Sequence, residues 1–432
     1  MALMDRISDR TAVYGVVGLG YVGLPLAVEM AKEGFAVVGF EVSQEKADLV
    51  NAGTSYIPDV PSTEVAELVA AGLLQATTDF SRAAECDVLA IAVPTPLNKM
   101  MEPDVTFMVS ATENIAPYIT PDTLVTLEST TYPGTTEEIV QPILERGDLK
   151  VGKNLYLAFS PERVDPGNPV YQTKNTPKVV GGVTPECTEV AAAFYGSFLE
   201  KIVPVSSTRV AEMTKLLENI FRCVNIALVN ELAMLGERMG ISMWEVVDAA
   251  KTKPFGFMPF YPGPGLGGHC IPIDPFYLAW KAKEFDFQTE FIELAGKVNN
   301  NMPYYTVQRL MGALNEQRKP LAGSRVLVLG VAYKSDIDDM RESPAIKVID
   351  LLQDAHAEVV YHDPYVPHYR DHDGNSLPFV ELTAETLAAT DAVIIVTGHR
   401  NVDYDLVVAN APLVFDARNV LAGRHAHNIY TL

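Results

Sequence analysis

The sequence predicts an α/β protein made of two Rossmann-like doubly wound domains joined by a long central helix. Three observations carry this reading. Short apolar runs alternate with helix-like segments in both the first and the last third of the chain. A glycine turn, Gly18-Leu19-Gly20-Tyr21-Val22-Gly23, follows the first apolar run. Between Ala211 and Gly240 the helical pattern has few breakers. A chain of 432 residues suits two or three domains. Changes in sequence texture divide it into 1–205, 206–305 and 319–432, the last boundary falling at Pro320–Gly323.

In order, residues 12–17 read as a strand that runs into the glycine turn. Leu24–Lys32 continue as helix, Gly34 stops it, and Phe35–Phe40 form a second strand ending at Glu41. Strand, glycine turn, helix, strand, acid is the context that turns a weak glycine motif into a dinucleotide site. Glu41 stands 18 residues past Gly23, where a carboxylate accepts ribose hydroxyls and repels a 2′-phosphate. The expected cofactor is therefore NAD rather than NADP. Three further strands end in polar or proline-marked loops: Asp87–Val93 at Pro94-Thr95-Pro96, Thr123–Leu127 at Glu128-Ser129-Thr130, and Leu155–Phe159 at Ser160-Pro161-Glu162. In open α/β sheets such loops line one crevice.

Ala211–Gly240 carries apolar residues at helical spacing, among them Met213, Leu216, Leu217, Ile220, Val224, Leu228, Leu232 and Leu235. A helix this long suits a spine between domains and a dimerisation surface; a core helix within a monomer is the other reading. Arg325–Val331 opens a second α/β unit, with a helix near Pro344–Gln353 and strands at Glu358–His362, Asp391–Val396 and Leu413–Asp416. This unit has no GxGxxG, so it reads as a doubly wound fold suited to another nucleotide-like ligand.

Composition narrows the function. A formal charge of −22 disfavours nucleic acid, and an anionic substrate would need local cations against that field. No run approaches the ~18 apolar residues of a membrane helix. Residues 1–10 mix acids with bases and have no apolar stretch, so no signal peptide is read and the cytoplasm is the expected location. Four cysteines without a CxxC pair argue against a disulfide framework or a metal site.

One of those cysteines has unusual company. Gly263-Pro264-Gly265-Leu266-Gly267-Gly268-His269-Cys270-Ile271-Pro272-Ile273-Asp274-Pro275 presents a thiol on a loop poor in side chains. A buried small hydrophobe is the common fate of a free cysteine. A loop this rich in glycine instead suits a sulfur that must be reached by a bulky ligand. Beside NAD, a thiol allows a two-step oxidation: alcohol to aldehyde, thiohemiacetal to thioester, then hydrolysis to a carboxylate. That scheme needs a base, an oxyanion partner and a carboxylate to position water. Thr130, Glu162, Lys215, Asn219 and Asp274 are the candidates. Lys215 and Asn219 are i,i+4 and share a helix face.

These motifs resemble the UDP-glucose/GDP-mannose 6-dehydrogenase family. The resemblance rests on Gly18–Gly23, Ser129-Thr130, Ser160-Pro161-Glu162, Glu212-Met213-Thr214-Lys215 with Asn219, Gly267-Gly268-His269-Cys270, and Tyr333-Lys334 with Met340-Arg341-Glu342-Ser343. Ser160–Asn168 and His269–Pro275 are most similar to the branch that oxidises UDP-N-acetylglucosamine for bacterial surface polysaccharides.

The resemblance implies Cys270 as nucleophile and Asp274 as the group that polarises a water or assists the base. It implies Lys215 and Asn219 for the oxyanion, Thr130 for the catalytic water and Glu162 for thioester hydrolysis. It places NAD on Gly18, Gly20, Tyr21, Val22, Gly23, Glu41, Lys46, Pro94, Thr95, Ser129, Thr130 and Arg341. It places the UDP-sugar on Glu162, Arg163, Val164, Lys215, Asn219, Tyr261, Gly263, Gly265, Gly267, Lys334 and Arg418. The long apolar helix Ala211–Gly240 separately leads us to expect a homodimer or a larger dimer-based oligomer. The chain departs from the glucose-type pattern at Ile273, where that branch has Lys, at Asp165-Pro166, and in having no Arg between Lys251 and Cys270. A one-step β-hydroxyacid-type dehydrogenase, using Lys215 and no thiol, is the rival enzyme reading. A nucleotide sensor without turnover is the rival outside enzymes.

Overall fold

A computed structural model describes residues 2–98, 100, 102–164, 168, 170–268, 271–370 and 374–432. The chain divides into two compact units, Met1–Glu218 with Phe276–Phe287, and Asn219–Pro275 with Gln288–Leu432.

The first unit holds β1 (Val13–Val17), β2 (Ala36–Phe40), β3 (Leu74–Thr77), β4 (Val88–Ile91), β5 (Thr123–Leu127), β6 (Leu155–Phe159), β7 (Lys178–Gly182) and β8 (Ile202–Pro204). Among the described residues they form one sheet in the order β3-β2-β1-β4-β5-β6-β7-β8. The first six strands follow the dinucleotide-binding order 3-2-1-4-5-6, with its switch point between β1 and β4. Every adjacent pair is parallel except β6 and β7. Helices cover both faces, so the strands read as continuous apolar runs whose side chains still alternate. In β4, Val88 and Ala90 join one core while Leu89 and Ile91 join the other. Each such buried Val, Leu or Ile contributes about 1.5–3 kcal/mol.

The second unit holds β9 (Arg325–Leu329), β10 (Glu358–His362), β11 (Ala392–Ile395), β12 (Val414–Asp416) and β13 (Ile429–Thr431), in the order β10-β9-β11-β12-β13. All of these pairs are parallel. This is the doubly wound order 2-1-3-4-5, with a switch point between β9 and β11.

The central helix runs Thr208–Met239, 32 residues. Its stop is local chemistry: Gly240 adopts φ +70°, its N–H donates to Glu237 O, and Ile241 N–H reaches back to Gly236 O. That pair of bonds is a glycine-terminated helix cap. A second long helix, Glu290–Glu316, runs through residue 305 and accommodates the buried Pro303 in its interior. The sequence pattern did not resolve this helix as an element, nor β3, β7, β8 or β13. These strands are short or carry Gly, Pro, Gln or Lys, and only tertiary pairing makes them strands. On the central helix Met213, Leu217, Phe221, Leu228 and Leu235 are exposed. No helix among the described residues is long and apolar enough to cross a membrane.

Candidate active site

In the first unit the three glycines of the turn do three different things. Gly18 has φ +94°, and a Cβ there would lie 2.6 Å from Ala92 O. A Cβ on Gly23 would lie 1.8 Å from Gly18 O, so the third glycine lets the helix Gly23–Lys32 pack against the turn. A Cβ on Gly20 would meet nothing within 4 Å. Open space over the middle glycine, at the N-terminus of a helix without a side-chain cap, suits a pyrophosphate. Val22 occupies the cap position and Tyr21 stands exposed beside it.

The Glu41 carboxylate is buried at the end of β2. It accepts N–H donors from Leu19 (3.2 Å), Val42 (3.0 Å) and Ser43 (3.2 Å). It therefore ties the turn to β2 before any ligand arrives. Tyr56 donates to Leu19 O at 2.7 Å, and the Lys46 ammonium lies 5.6 Å over the Tyr56 ring. These contacts fit a dinucleotide whose ribose end sits at Glu41 and Lys46.

The loops after β4, β5 and β6 converge. Ser129 Oγ donates to Val93 O (2.7 Å) and accepts from Val93 N–H (3.0 Å). Thr95 Oγ1 donates to Thr130 O at 2.6 Å, and Tyr277 donates to Thr95 O. The Ser129 hydroxyl thus latches two loops, with Pro94 between the latched Val93 and Thr95. Glu212, on the central helix, accepts from Gly134 N–H (2.6 Å), Thr136 N–H (3.0 Å) and Thr136 Oγ1 (2.7 Å). Burial pushes this carboxyl up. One turn on, the Lys215 ammonium, almost fully buried, donates to the backbone oxygen of Glu162.

Glu162 Oε1 accepts from Val164 N–H (2.6 Å) and Arg163 N–H (2.7 Å). Burial would raise this carboxyl, yet Lys178, those two N–H groups and Lys215 together hold it below the usual range. The Arg163 guanidinium is spent elsewhere: it forks onto Glu218 at 2.5 and 3.3 Å and donates to Pro177 O at 2.7 Å. What Arg163 and Val164 offer Glu162 is backbone N–H.

The second unit holds a further group of the candidate residues. Asn219 is fully buried; its Nδ2 donates to Asp274 Oδ2 and its Oδ1 accepts from Arg222. Cys270, like His269 and Asp165–Gly167, lies outside the described residues. The other three cysteines, Cys86, Cys187 and Cys223, are buried and free, and burial pushes the Cys86 thiol up to about 12.

The glycine loop leading to Cys270 is shaped by what it packs on. A Cβ on Gly267 would lie 2.9 Å from Tyr333 Cβ, and one on Gly268 (φ +93°) 3.1 Å from the Tyr333 ring. Gly265 has φ +143°, and its Cβ would press on Pro344 at 3.0 Å. At the loop's start a Cβ on Gly263 would lie 2.6 Å from an Arg418 guanidinium nitrogen, while Gly263 N–H donates to Asn230 Oδ1 at 3.0 Å.

Arg418 donates through Nε to Val396 O at 2.8 Å, and burial pushes its pKa down to about 10. A half-buried guanidinium whose desolvation is offset by Asp416 and one backbone carbonyl suits an anionic ligand. Lys334 follows Tyr333 on the same loop. The exposed Arg341 is held by Asp339 at 2.7 Å. Tyr261 stacks on Trp244 at 5.5 Å and donates to Asp248 at 2.8 Å.

Comparison with known proteins settles the family. Its NAD binding domain matches residues 13–199, its central domain 209–301 and its UDP binding domain 327–423. The chain belongs to the UDP-glucose/GDP-mannose dehydrogenase family. It is an NAD-dependent nucleotide-sugar dehydrogenase. A UDP-N-acetyl-D-glucosamine 6-dehydrogenase of Pseudomonas aeruginosa is 38% identical over 81% of this chain and 82% of its own length. A UDP-N-acetyl-D-mannosamine dehydrogenase of Pyrococcus horikoshii is 34% identical over 94% of this chain and 95% of its own. The solved structure of a UDP-D-ManNAc dehydrogenase from Pyrococcus horikoshii superposes with TM-score 0.88 at 31% identity, covering 97% of this chain and 98% of that one.

Sequence reasoning missed Arg222, Lys178, Glu128 and Tyr277. Arg222 was accessible, lying i+3 from Asn219 on a helix already read. Glu128 looked like an ordinary strand-end residue, Lys178 like a surface cation, and Tyr277 like an ordinary aromatic of the helix Asp274–Ala282.

Proposed function

We propose that this enzyme oxidises the C6 hydroxyl of UDP-N-acetylglucosamine to the carboxylate in two NAD-linked steps, for surface-polysaccharide biosynthesis in the cytoplasm. The observation that carries the chemistry is the buried Asn219–Asp274 pair, one turn along the helix from Lys215 and four residues beyond Cys270. Bound NAD+ supplies the hydride acceptor, two equivalents per sugar. Asp274, through a water, takes the C6 hydroxyl proton as the hydride departs. The Cys270 thiolate then adds to the aldehyde carbon, and the new C–S bond leaves an oxygen that Lys215 and Asn219 stabilise until it is protonated. Loss of a second hydride and that proton gives the thioester. Water held by Thr130 attacks it, Glu162 accepts the water's proton, the C–S bond breaks and the thiolate returns. In sum one alcohol, two NAD+ and one water give one carboxylate, two NADH and three protons.

The substrate choice rests on the 38% identical relative and on the Ser160–Asn168 and His269–Pro275 segments. UDP-N-acetylmannosamine and UDP-N-acetylgalactosamine are the alternatives, and kcat/KM for the three sugars side by side decides among them. Two NADH per sugar supports the covalent route; one NADH overturns it. Cys270→Ala should abolish acid formation while NAD still binds.

We place the cofactor in 1–205 and the UDP portion in 319–432, where Arg418 and Lys334 supply the cations. The exposed apolar stripe on Thr208–Met239 is our dimer surface, supported by its length and by Leu217 at 63% exposure. Light scattering that gives 47.1 kDa at micromolar concentration would overturn it.

A further inference from the structure

Three buried ionisable side chains, none assigned a role above, lie behind Glu162. The reversal of β7 puts one of them there. Because β7 runs antiparallel to β6, pairing Phe159 with Gly181, its first residue falls beyond the carboxyl end of β6. A parallel β7 would carry that residue to the opposite edge of the sheet. The residue is Lys178, fully buried, whose ammonium sits 2.6 Å from Glu128 Oε2 and 3.6 Å from Glu162 Oε2. Glu128, just past β5, is also buried and receives a hydrogen bond from Tyr195 on the helix Pro185–Gly196. The Lys178 ammonium lies 5.4 Å over the Tyr195 ring.

Burying a lysine between two carboxylates is a poor way to stabilise a fold, since apolar residues of similar volume usually do as well or better. The arrangement makes sense if one carboxylate has work to do. We propose that Lys178, held by Glu128 and Tyr195, is a positioning residue that fixes the Glu162 carboxylate, ionised, on its two backbone N–H donors. This rests on the assignment of Glu162 to thioester hydrolysis. One Glu162 oxygen is then oriented by Arg163 and Val164 N–H and the other by Lys178, leaving the group unable to rotate away from an approaching water.

Among the described residues, the charged groups around Glu162 are few. Lys178 faces it from β7, Lys215 from the central helix, and Glu128 stands behind Lys178; Arg163 is occupied by Glu218. Burial opposes the Lys178 charge, but Glu128 and Glu162 outweigh it and hold the lysine above its usual range. Removing Lys178 therefore raises the Glu162 carboxyl toward neutrality.

The test uses the full-length enzyme. Lys178→Met alone leaves Glu128 buried without a counter-ion, so it is paired with Glu128→Gln; Tyr195→Phe is a milder companion. Stopped-flow NADH release separates hydride transfer from hydrolysis. For the double variant we expect native NAD affinity, a preserved NADH burst, and a steady-state kcat reduced about 10²-fold. The acid limb of kcat should move up by about one pH unit, since that limb reports a base in the bound complex. Tyr195→Phe should shift it the same way by less, and Lys178→Arg should restore most of the rate. An unshifted acid limb in Tyr195→Phe and the double variant, with Glu162→Gln itself slow in hydrolysis, overturns the positioning role and leaves the Glu162 assignment standing. Wild-type turnover in Glu162→Gln overturns both.

Discussion

The two doubly wound sheets place an acid at the same topological position and use it differently. Glu41 ends β2 and Asp363 ends β10, each on the strand next to the one that opens its unit. Each accepts a backbone N–H from the first turn: Leu19 for Glu41, Val331 (2.7 Å) and Ala332 (3.0 Å) for Asp363. Asp363 goes further. It also accepts from Tyr365 N–H (2.8 Å), Val366 N–H (3.1 Å) and His399 Nε2 (3.0 Å). His399 is set in the tautomer that donates through Nε2, because its Nδ1 accepts from Asp336 N–H at 2.9 Å. Five donors saturate a carboxylate, which has about four lone-pair sites. Glu41, with three, keeps capacity for a further donor, which on our proposal is a ribose hydroxyl; Asp363 is saturated by the protein itself, so in the second unit we assign the UDP portion to Arg418 and Lys334 instead. The two units thus share an architecture and differ in what the second-strand acid holds.

The largest effect should come from the glycine turns. Gly23→Ala forces a Cβ onto Gly18 O and should cost about 3 kcal/mol or more, weakening NAD binding at least about 100-fold while UDP binding stays native. Calorimetric titration of both ligands checks it, and equal loss of both would break the comparison. Asp363→Asn should destabilise the second unit by about 1.5–3 kcal/mol. Burial opposes the Asp363 charge, but His399 and the backbone donors hold its carboxyl below the ordinary value of 3.8. Its contribution is therefore full above that value and lost as pH falls through the lower folded one. Acid unfolding followed by circular dichroism should be steeper in the wild type than in Asp363→Asn.

Arg418→Met should raise KM for the UDP-sugar about tenfold and leave KM for NAD alone; the reverse would sink the cation assignment. Glu41→Ala should narrow the NAD over NADP preference, and comparable kcat/KM for both cofactors in the wild type would refute its ribose role. Smallest of all, Arg341→Ala should change stability by less than about 0.5 kcal/mol, since the arginine of its pair with Asp339 is half exposed to solvent. A rise in its KM for NAD alone would locate that residue at the cofactor.

The part of this legible in the sequence is the part in which local chemistry decides. The glycine turn, Glu41 and the strands Thr123–Leu127, Leu155–Phe159 and Glu358–His362 follow from patterns a few residues long. Lys178–Gly182 does not: a strand that opens with lysine and closes with two glycines is recognisable only beside β6 and β8. Lys178 itself reads as a surface cation until Glu128 and Glu162, 50 and 16 residues earlier, are folded against it. The Asn219–Asp274 pair was legible only as two separate candidates, because no spacing rule links one helix to the start of another 55 residues on.

Tyr333 supports the glycine loop and is followed by Lys334. On the proposed placement of the UDP portion at Lys334, a single loop, Val331 to Asp336, bears on two properties that are usually mutated apart: how firmly the sugar nucleotide is gripped, and how the segment leading to the thiol is presented. Tyr333→Ala should therefore raise KM for the UDP-sugar and lower kcat together, where a loop with one duty would change only one of them.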